Sequence, residues 1–231
     1  MFSVEFYLPL YFQAVKGASP LESGYRIIPI TVTQAVVGLC AGLIVHKTGR
    51  YLELIWAGVV LLTLGNGLYI QLDVGSSLGS IVAFQLVAAM GAGLLFQPPL
   101  IALQALVPPQ KTATATATLG LVRNLSTSIA IVVGQVIFSN GMASRRSALV
   151  DQGVPVNLAD RFSGASGTSD FDLISTIQEE NVQFVVKEAY ADSLQGVWIL
   201  CTCMAACAVI ASTVVSRQVL SKVHVEHRTG L

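Results

Sequence analysis

The stretch GLIVHKTGRY, residues 42–51, sets His46, Lys47 and Arg50 between two long apolar runs that hold almost no other charge. The runs on either side extend from about Tyr25 to Val45 and from about Leu54 to Leu72. Each is long enough, or nearly so, to cross a bilayer core of about 30 Å as a helix rising about 1.5 Å per residue. Two such runs joined by a short charged turn make a helical hairpin in a membrane. Working outward, Leu78–Val107, 112–138 and 194–216 repeat the pattern, with polar or glycine-rich breaks between them. Phe2–Val15 would cover only about 21 Å, so it reads as the outer part of a span whose beginning is missing.

Composition agrees with the hairpin. The chain has 231 residues, of which 53% are hydrophobic and 11% charged. Its mean hydropathy is +0.69, outside the range of an ordinary soluble domain. The formal net charge is zero, so no basic surplus points to a nucleic-acid partner. Cys40, Cys201, Cys203 and Cys207 sit inside apolar runs without a CxxC pair or a histidine cluster, which predicts reduced packing residues and no metal. No cleavable signal peptide is visible, because Glu5 and Pro9 interrupt the first apolar stretch and no basic start precedes it. There is no HExxH, GxSxG or Walker loop, and the GAG at Gly91 lacks the rest of a dinucleotide motif, so neither an enzyme nor a cofactor is expected.

Orientation follows from Lys and Arg near the span ends. With the first span exiting outward, the inner segments hold Lys47, Arg50, Lys111, Arg217, Lys222 and Arg228, and the short outer loops hold Lys16 and Arg26. Residues 139–193 then form a long outer loop with four basic and eight acidic residues, and 217–231 form a cytoplasmic tail. Within the loop, Phe171, Ile174, Ile177, Val182 and Val185 are spaced roughly as one face of an amphipathic helix, which reads as a structural lid or as a helix lying along the membrane surface rather than as a binding site.

Pro98 and Pro99 remove two backbone donors and should bend or break the fourth run. Gly38, Gly42, Gly65, Gly67, Gly91, Gly93, Gly120 and Gly134 fall where membrane helices approach closely. The period-two TATATAT of residues 112–118 opens a membrane-length run after two prolines, which favours a helix start capped by threonine.

An ionised side chain deep in a span is costly and is usually paired or lines a water-filled path. Arg123 lies about 16 Å from the inner end of its run, and Glu5 lies about 16 Å from the outer end of its own. Glu5 is the sole carboxylate placed within a span. The two are expected to face the bundle interior and to pair, either as a static ion pair or as part of a substrate or proton path. Gln34, Gln85, Gln97, Gln104 and Gln135 add amides that bond across helices or line a cavity. Gln97 is the best candidate for a cavity, because it precedes Pro98, where backbone carbonyls are freed. Asn124, next to Arg123, joins the pathway candidates. Asn124-Leu125-Ser126 also matches a glycosylation acceptor, but it lies within an apolar run and is a chance match.

Gly42, His46, Lys47, Gly49, Arg50 and Tyr51 together resemble G-x-x-x-D-R-x-G-R-R/K, the loop signature of the major facilitator superfamily. YLPLYFQAVKGASPLESG, GLLFQPPLIALQALVP and RNLSTSIAIVVGQVIFSN are similar to the fungal fourteen-span multidrug branch, the drug:proton antiporters. The resemblance covers nearly the whole chain. It implies an all-α membrane protein, the six-helix carboxyl-terminal bundle of a facilitator with its first helix truncated. It implies a missing amino-terminal half, needed for transport by rocking of one bundle against the other. It also implies that the first, second, fourth and fifth spans, carrying Glu5, Gln34, Gln97 and Arg123, line the cavity, and that the third and sixth face lipid. Gly42, Gly49 and Arg50 take the place of a cytoplasmic gating loop. His46 stands where the family has an acid, and SRQVLSKV lacks the PETKG-like ending of sugar carriers.

The expected function is export of small organic compounds by proton antiport, at the plasma membrane or the vacuolar membrane. The alternatives are a non-transporting or partner-dependent membrane fragment and a nutrient uniporter of the same fold. The expected partners are the bilayer, the organic substrate and protons.

Overall fold

The computed structural model describes residues 2–164, 168 and 170–213, and among these residues every regular element is helical. The first helix, α1, runs over Phe2–Leu10 and continues as a π-helical turn over Tyr11–Val15. It is followed by α2 (Pro20–Thr48), α3 (Leu52–Tyr69), α4 (Leu78–Leu94), α5 (Pro98–Leu106) and α6 (Thr112–Asp151). Further along lie α7 (Val156–Ser163), a 3-10 segment over Asp170–Thr176 and α8 (Glu180–Ser212). Five helical stretches are long and apolar enough to cross a membrane, counting α4 and α5 as one. The bundle has a basic end, holding Lys47, Arg50 and Lys111, and an acidic end, where α7 and the 3-10 segment lie.

Backbone proximity organises the centre. A Cβ at Gly65 would collide with the backbone of Ala88, and one at Gly91 with the backbone of Leu62, so α3 and α4 touch main chain to main chain. Gly93 lies against the carbonyl of Gln34 and the side chain of Val37, bringing α2 to the other side of α4. Between apolar helices in lipid, van der Waals fit takes the place of the hydrophobic drive, and small residues supply that fit. Gly120, by contrast, has open space where its side chain would be.

The third and last spans pack on each other. Trp56 Nε1 donates to the Ser212 carbonyl at 3.1 Å, Asn66 Nδ2 donates to the Cys201 carbonyl at 3.4 Å, and the Tyr69 and Trp198 rings lie 5.5 Å apart. All four cysteines are free thiols.

The acidic end differs from its sequence reading. Residues 139–151 are not loop but the outer part of α6, whose 40 residues extend about 60 Å, twice a bilayer core. α8 likewise starts at Glu180 rather than at Leu194. Phe171, Ile174, Ile177, Val182 and Val185 do not share one helix, because the chain breaks between the 3-10 segment and α8. They cover the same core instead, together with Phe138, Met142, Leu149, Phe162, Val186 and Tyr190. A surface helix would leave this core open to water, whereas closing it stabilises by about 1.5–3 kcal/mol for each large side chain fully buried. Arg145–Asp192 at 3.4 Å, Arg161–Asp170 at 3.1 Å and Arg146–Asp160 rim the closed core.

The threonine cap is also corrected: α6 is preceded by Lys111 with no side-chain cap, and Thr112 donates back to the Pro108 carbonyl at 3.4 Å. The end of the last run and the tail, with Arg217, Lys222 and Arg228, lie outside the described residues.

Gly91→Ala should force α3 and α4 apart and cost about 1–3 kcal/mol, lowering the melting temperature of the full-length protein in detergent. Gly120→Ala, measured alongside, should leave that temperature unchanged or raise it slightly.

Candidate functional site

The site is built on the break between α4 and α5. Pro98 and Pro99 occupy the first two positions of α5, where their missing N–H groups cost nothing, but α4 cannot propagate through them. Residues 95–97 therefore leave the helix. Gln97 makes no side-chain cap, and its side chain lines a cavity of about 350 Å³ with Thr31, Gln34, Gly38 and Phe96. Gly42 lies next to it, its Cβ position 3.9 Å from Gln97 Cγ. Glu5, partly buried on α1, turns toward Gln34. The amide Nε2 of Gln34 is buried with no hydrogen bond of good geometry. The Tyr69 hydroxyl, also fully buried and without a hydrogen-bond partner, lies within the electrostatic reach of Glu5. The sequence candidates Glu5, Gln34 and Gln97 thus converge on one side of the break.

Arg123 stands on the other side. Its guanidinium lies 5.0 Å from the centroid of the Phe96 ring, a cation–π contact worth about 0.5–2 kcal/mol according to desolvation. Behind it is a second cavity of about 340 Å³, lined by Arg123, Ser126, Thr127, Asn66, Leu95 and Cys201 among others. Phe96 therefore stands between Arg123 and the cavity that Gln34 and Gln97 line.

The expected ion pair between Glu5 and Arg123 is not formed; among the described residues, no carboxylate lies within salt-bridge distance of Arg123. The reason is angular. Neighbouring residues on a helix point about 100° apart, and it is Val4 that lines the cavity beside Arg123, leaving Glu5 turned toward α2. Asn124 is exposed and lines neither cavity.

The first helix is held by polar anchors that sequence reasoning missed. The Tyr7 hydroxyl donates to the Ile131 carbonyl at 2.5 Å, with its ring against Gly134. The Tyr11 hydroxyl donates to the Asp73 carbonyl at 2.7 Å, and Lys16 Nζ donates to the carbonyls of Val74 and Ser76 at 2.7 and 2.6 Å. Tyr7 and Tyr11 are four residues apart, on one helical face, and that spacing was the available signal.

At the basic end, Gly49 adopts a left-handed conformation with φ 71° and donates to the Val45 carbonyl at 2.8 Å, which closes α2. That geometry favours glycine and explains its place in the turn. Arg50 pairs with Glu53 at 3.7 Å on the exposed rim of the next helix, and His46 is exposed.

With this geometry in place, comparison with known proteins defines the class. The profile of the Major Facilitator Superfamily matches residues 1–131, and the chain belongs to that family of multi-pass membrane transporters. It is 37% identical over 226 residues to the MFS-type transporter ppz2 of Metarhizium majus, covering 98% of this chain and 39% of that protein. It is 35% identical over 229 residues to the efflux pump dotC of Dothistroma septosporum, covering 99% and 39%. It is also 32% identical over 193 residues to the efflux pump FUS6 of Gibberella fujikuroi, covering 84% and 35%. The chain therefore spans about two fifths of the length of these curated relatives. No solved structure matches it.

Two outcomes follow from the site. A double-mutant cycle of Glu5→Gln and Arg123→Gln, followed by thermal unfolding of the full-length protein, should give a coupling below about 0.5 kcal/mol, whereas a contact pair would give about 0.5–3 kcal/mol. His46→Asp should leave transport by the full-length protein unchanged or increased; a severe loss would assign the histidine a role its exposed position does not suggest.

Proposed function

We propose that this chain is the carboxyl-terminal bundle of an exporter of small organic compounds that works by proton antiport and alternating access. One observation carries the reading: a carboxylate, two amides and an arginine gather at the interruption of a membrane helix, the place where broken membrane helices form transport sites. That two of the relatives are described as efflux pumps supports the direction of transport. The missing amino-terminal half would complete the path and supply the surface against which this bundle rocks. The plasma membrane or the vacuolar membrane is its proposed location.

In this mechanism Glu5 is the proton carrier. Ionised, its carboxylate accepts from the amide of Gln34; protonated, it frees that amide for substrate and lowers the cost of facing lipid or an empty cavity. Gln97 then takes the substrate from the opposite wall of the same cavity. Asn124, on the exposed face of α6, would reach the path only across the boundary with the other half. At the cytoplasmic mouth, Gly42 and Gly49 let the α2–α3 hairpin move. The exposed Arg50–Glu53 pair, worth at most about 1 kcal/mol, is weak enough to break in each cycle.

The test uses inside-out vesicles carrying the full-length protein, an imposed proton gradient, and three dyes: neutral Nile red, cationic rhodamine 6G and anionic fluorescein. Uptake of at least one dye should rise above that of vesicles lacking the protein and collapse with a protonophore. Glu5→Gln should cut gradient-driven uptake at least tenfold while sparing dye exchange at equal pH. Uptake by Glu5→Gln that still follows the gradient would remove Glu5 from proton coupling, and no uptake of any dye would overturn the exporter reading.

A further inference from the structure

The cavity behind Arg123 is unaccounted for by the proton path. We infer that it is a subsite for the acidic group of the transported compound and selects hydroxylated, amphipathic organic acids. This inference rests on the exporter reading for its role in transport, but not for the binding itself.

The chemistry of the lining specifies the ligand. Arg123 lies with its guanidinium over the Phe96 ring. A guanidinium carries five N–H donors in a fork that matches a carboxylate, more than contact with one ring face can occupy. No carboxylate among the described residues occupies that fork. A charge at this depth is costly unless an opposite charge meets it, so a bound acid fills a place the described residues leave open.

The second polar feature is Asn66. It is 4% exposed, its Nδ2 donates to the Cys201 carbonyl, and that bond fixes the amide so that Oδ1 is buried with no partner. Turning the amide over would set two carbonyl oxygens against each other. Oδ1 therefore requires a donor, and neither an anion nor a hydrocarbon supplies one. Thr127 offers the same polarity, because its hydroxyl proton is committed to the Arg123 carbonyl at 2.9 Å and lone pairs are left.

The lining thus asks for one anionic oxygen toward Arg123 and a hydroxyl toward Asn66, on an apolar frame that packs against Leu95 and Met204. A cation is repelled by Arg123. A neutral hydrocarbon leaves both the arginine and Asn66 without partners, and sites that hydrogen-bond one ligand reject analogues lacking the group.

Fluorescein carries a carboxylate and a phenol, and its binding to the purified full-length protein can be followed by fluorescence anisotropy independently of transport. Wild-type protein should bind it. Arg123→Gln should weaken binding at least tenfold, Arg123→Lys should restore part of it, and Asn66→Leu should weaken fluorescein severalfold more than its O-methylated derivative. In vesicles, Arg123→Gln should depress fluorescein uptake at least fivefold more than it depresses Nile red uptake. Arg123-dependent binding with no transport of any dye would keep the subsite and discard the exporter. Nile red transport without Arg123-dependent fluorescein binding would keep the exporter and discard the subsite. Failure of the wild type to bind fluorescein, as when a carboxylate of the other half already fills the fork, would overturn the inference, as would equal loss of both dyes in Arg123→Gln.

Discussion

The contact between the backbones of α3 and α4 is the constraint on which the rest depends. In lipid a helix gains little from hiding apolar side chains against apolar side chains, so attraction has to come from closeness. Gly65 against Ala88 and Gly91 against Leu62 provide it, since any side chain at either glycine would hold the helices apart. With α3 and α4 fixed, Gly93 brings in α2, and the outer face of α3 receives α8 through Trp56, Asn66 and Tyr69. α1 is placed last, by hydroxyl and ammonium groups that reach carbonyls on α6 and on the turn between α3 and α4.

The rigidity of that pair makes the break beyond α4 useful. A helix interrupted at Leu95–Gln97 exposes backbone and side-chain polar groups at membrane depth, which is tolerable only where protein or water meets them. Phe96 sits at the interruption, lining a cavity with two amides on one side and touching Arg123, which shares a second cavity with an asparagine, on the other. Had Glu5 and Arg123 neutralised each other, Arg123 would bring no free charge to its cavity. Because they do not pair, both chemistries stay available.

Much of this could be read from the chain. The charged turn at residues 42–51 identified the hairpin, and the double proline identified the break, because lipid cannot solvate charge and proline cannot extend a helix. Small residues at Gly65, Gly91 and Gly93 were legible as packing positions, but Gly120 has the same sequence signature and touches nothing. At the acidic end, hydropathy failed. The outer turns of α6 and α8 carry Arg145, Arg146, Asp192 and Glu188 on their wet faces, which lowers the average enough to resemble a loop. The helical spacing of Phe138, Met142 and Leu149, and of Val182, Val186, Tyr190 and Ser193, held the correct answer.

The sequence by itself determined the class of protein, the family, the number of long apolar helices and the residues able to carry charge into the membrane. These follow from composition, run length and local motif, which act residue by residue. Only the tertiary structure decided which polar groups meet. The direction of a side chain depends on a rotation of about 100° per residue and on which neighbour fills the gap. That angle sends Val4 toward Arg123 and Glu5 toward Gln34, and no count of charges along the chain contains it.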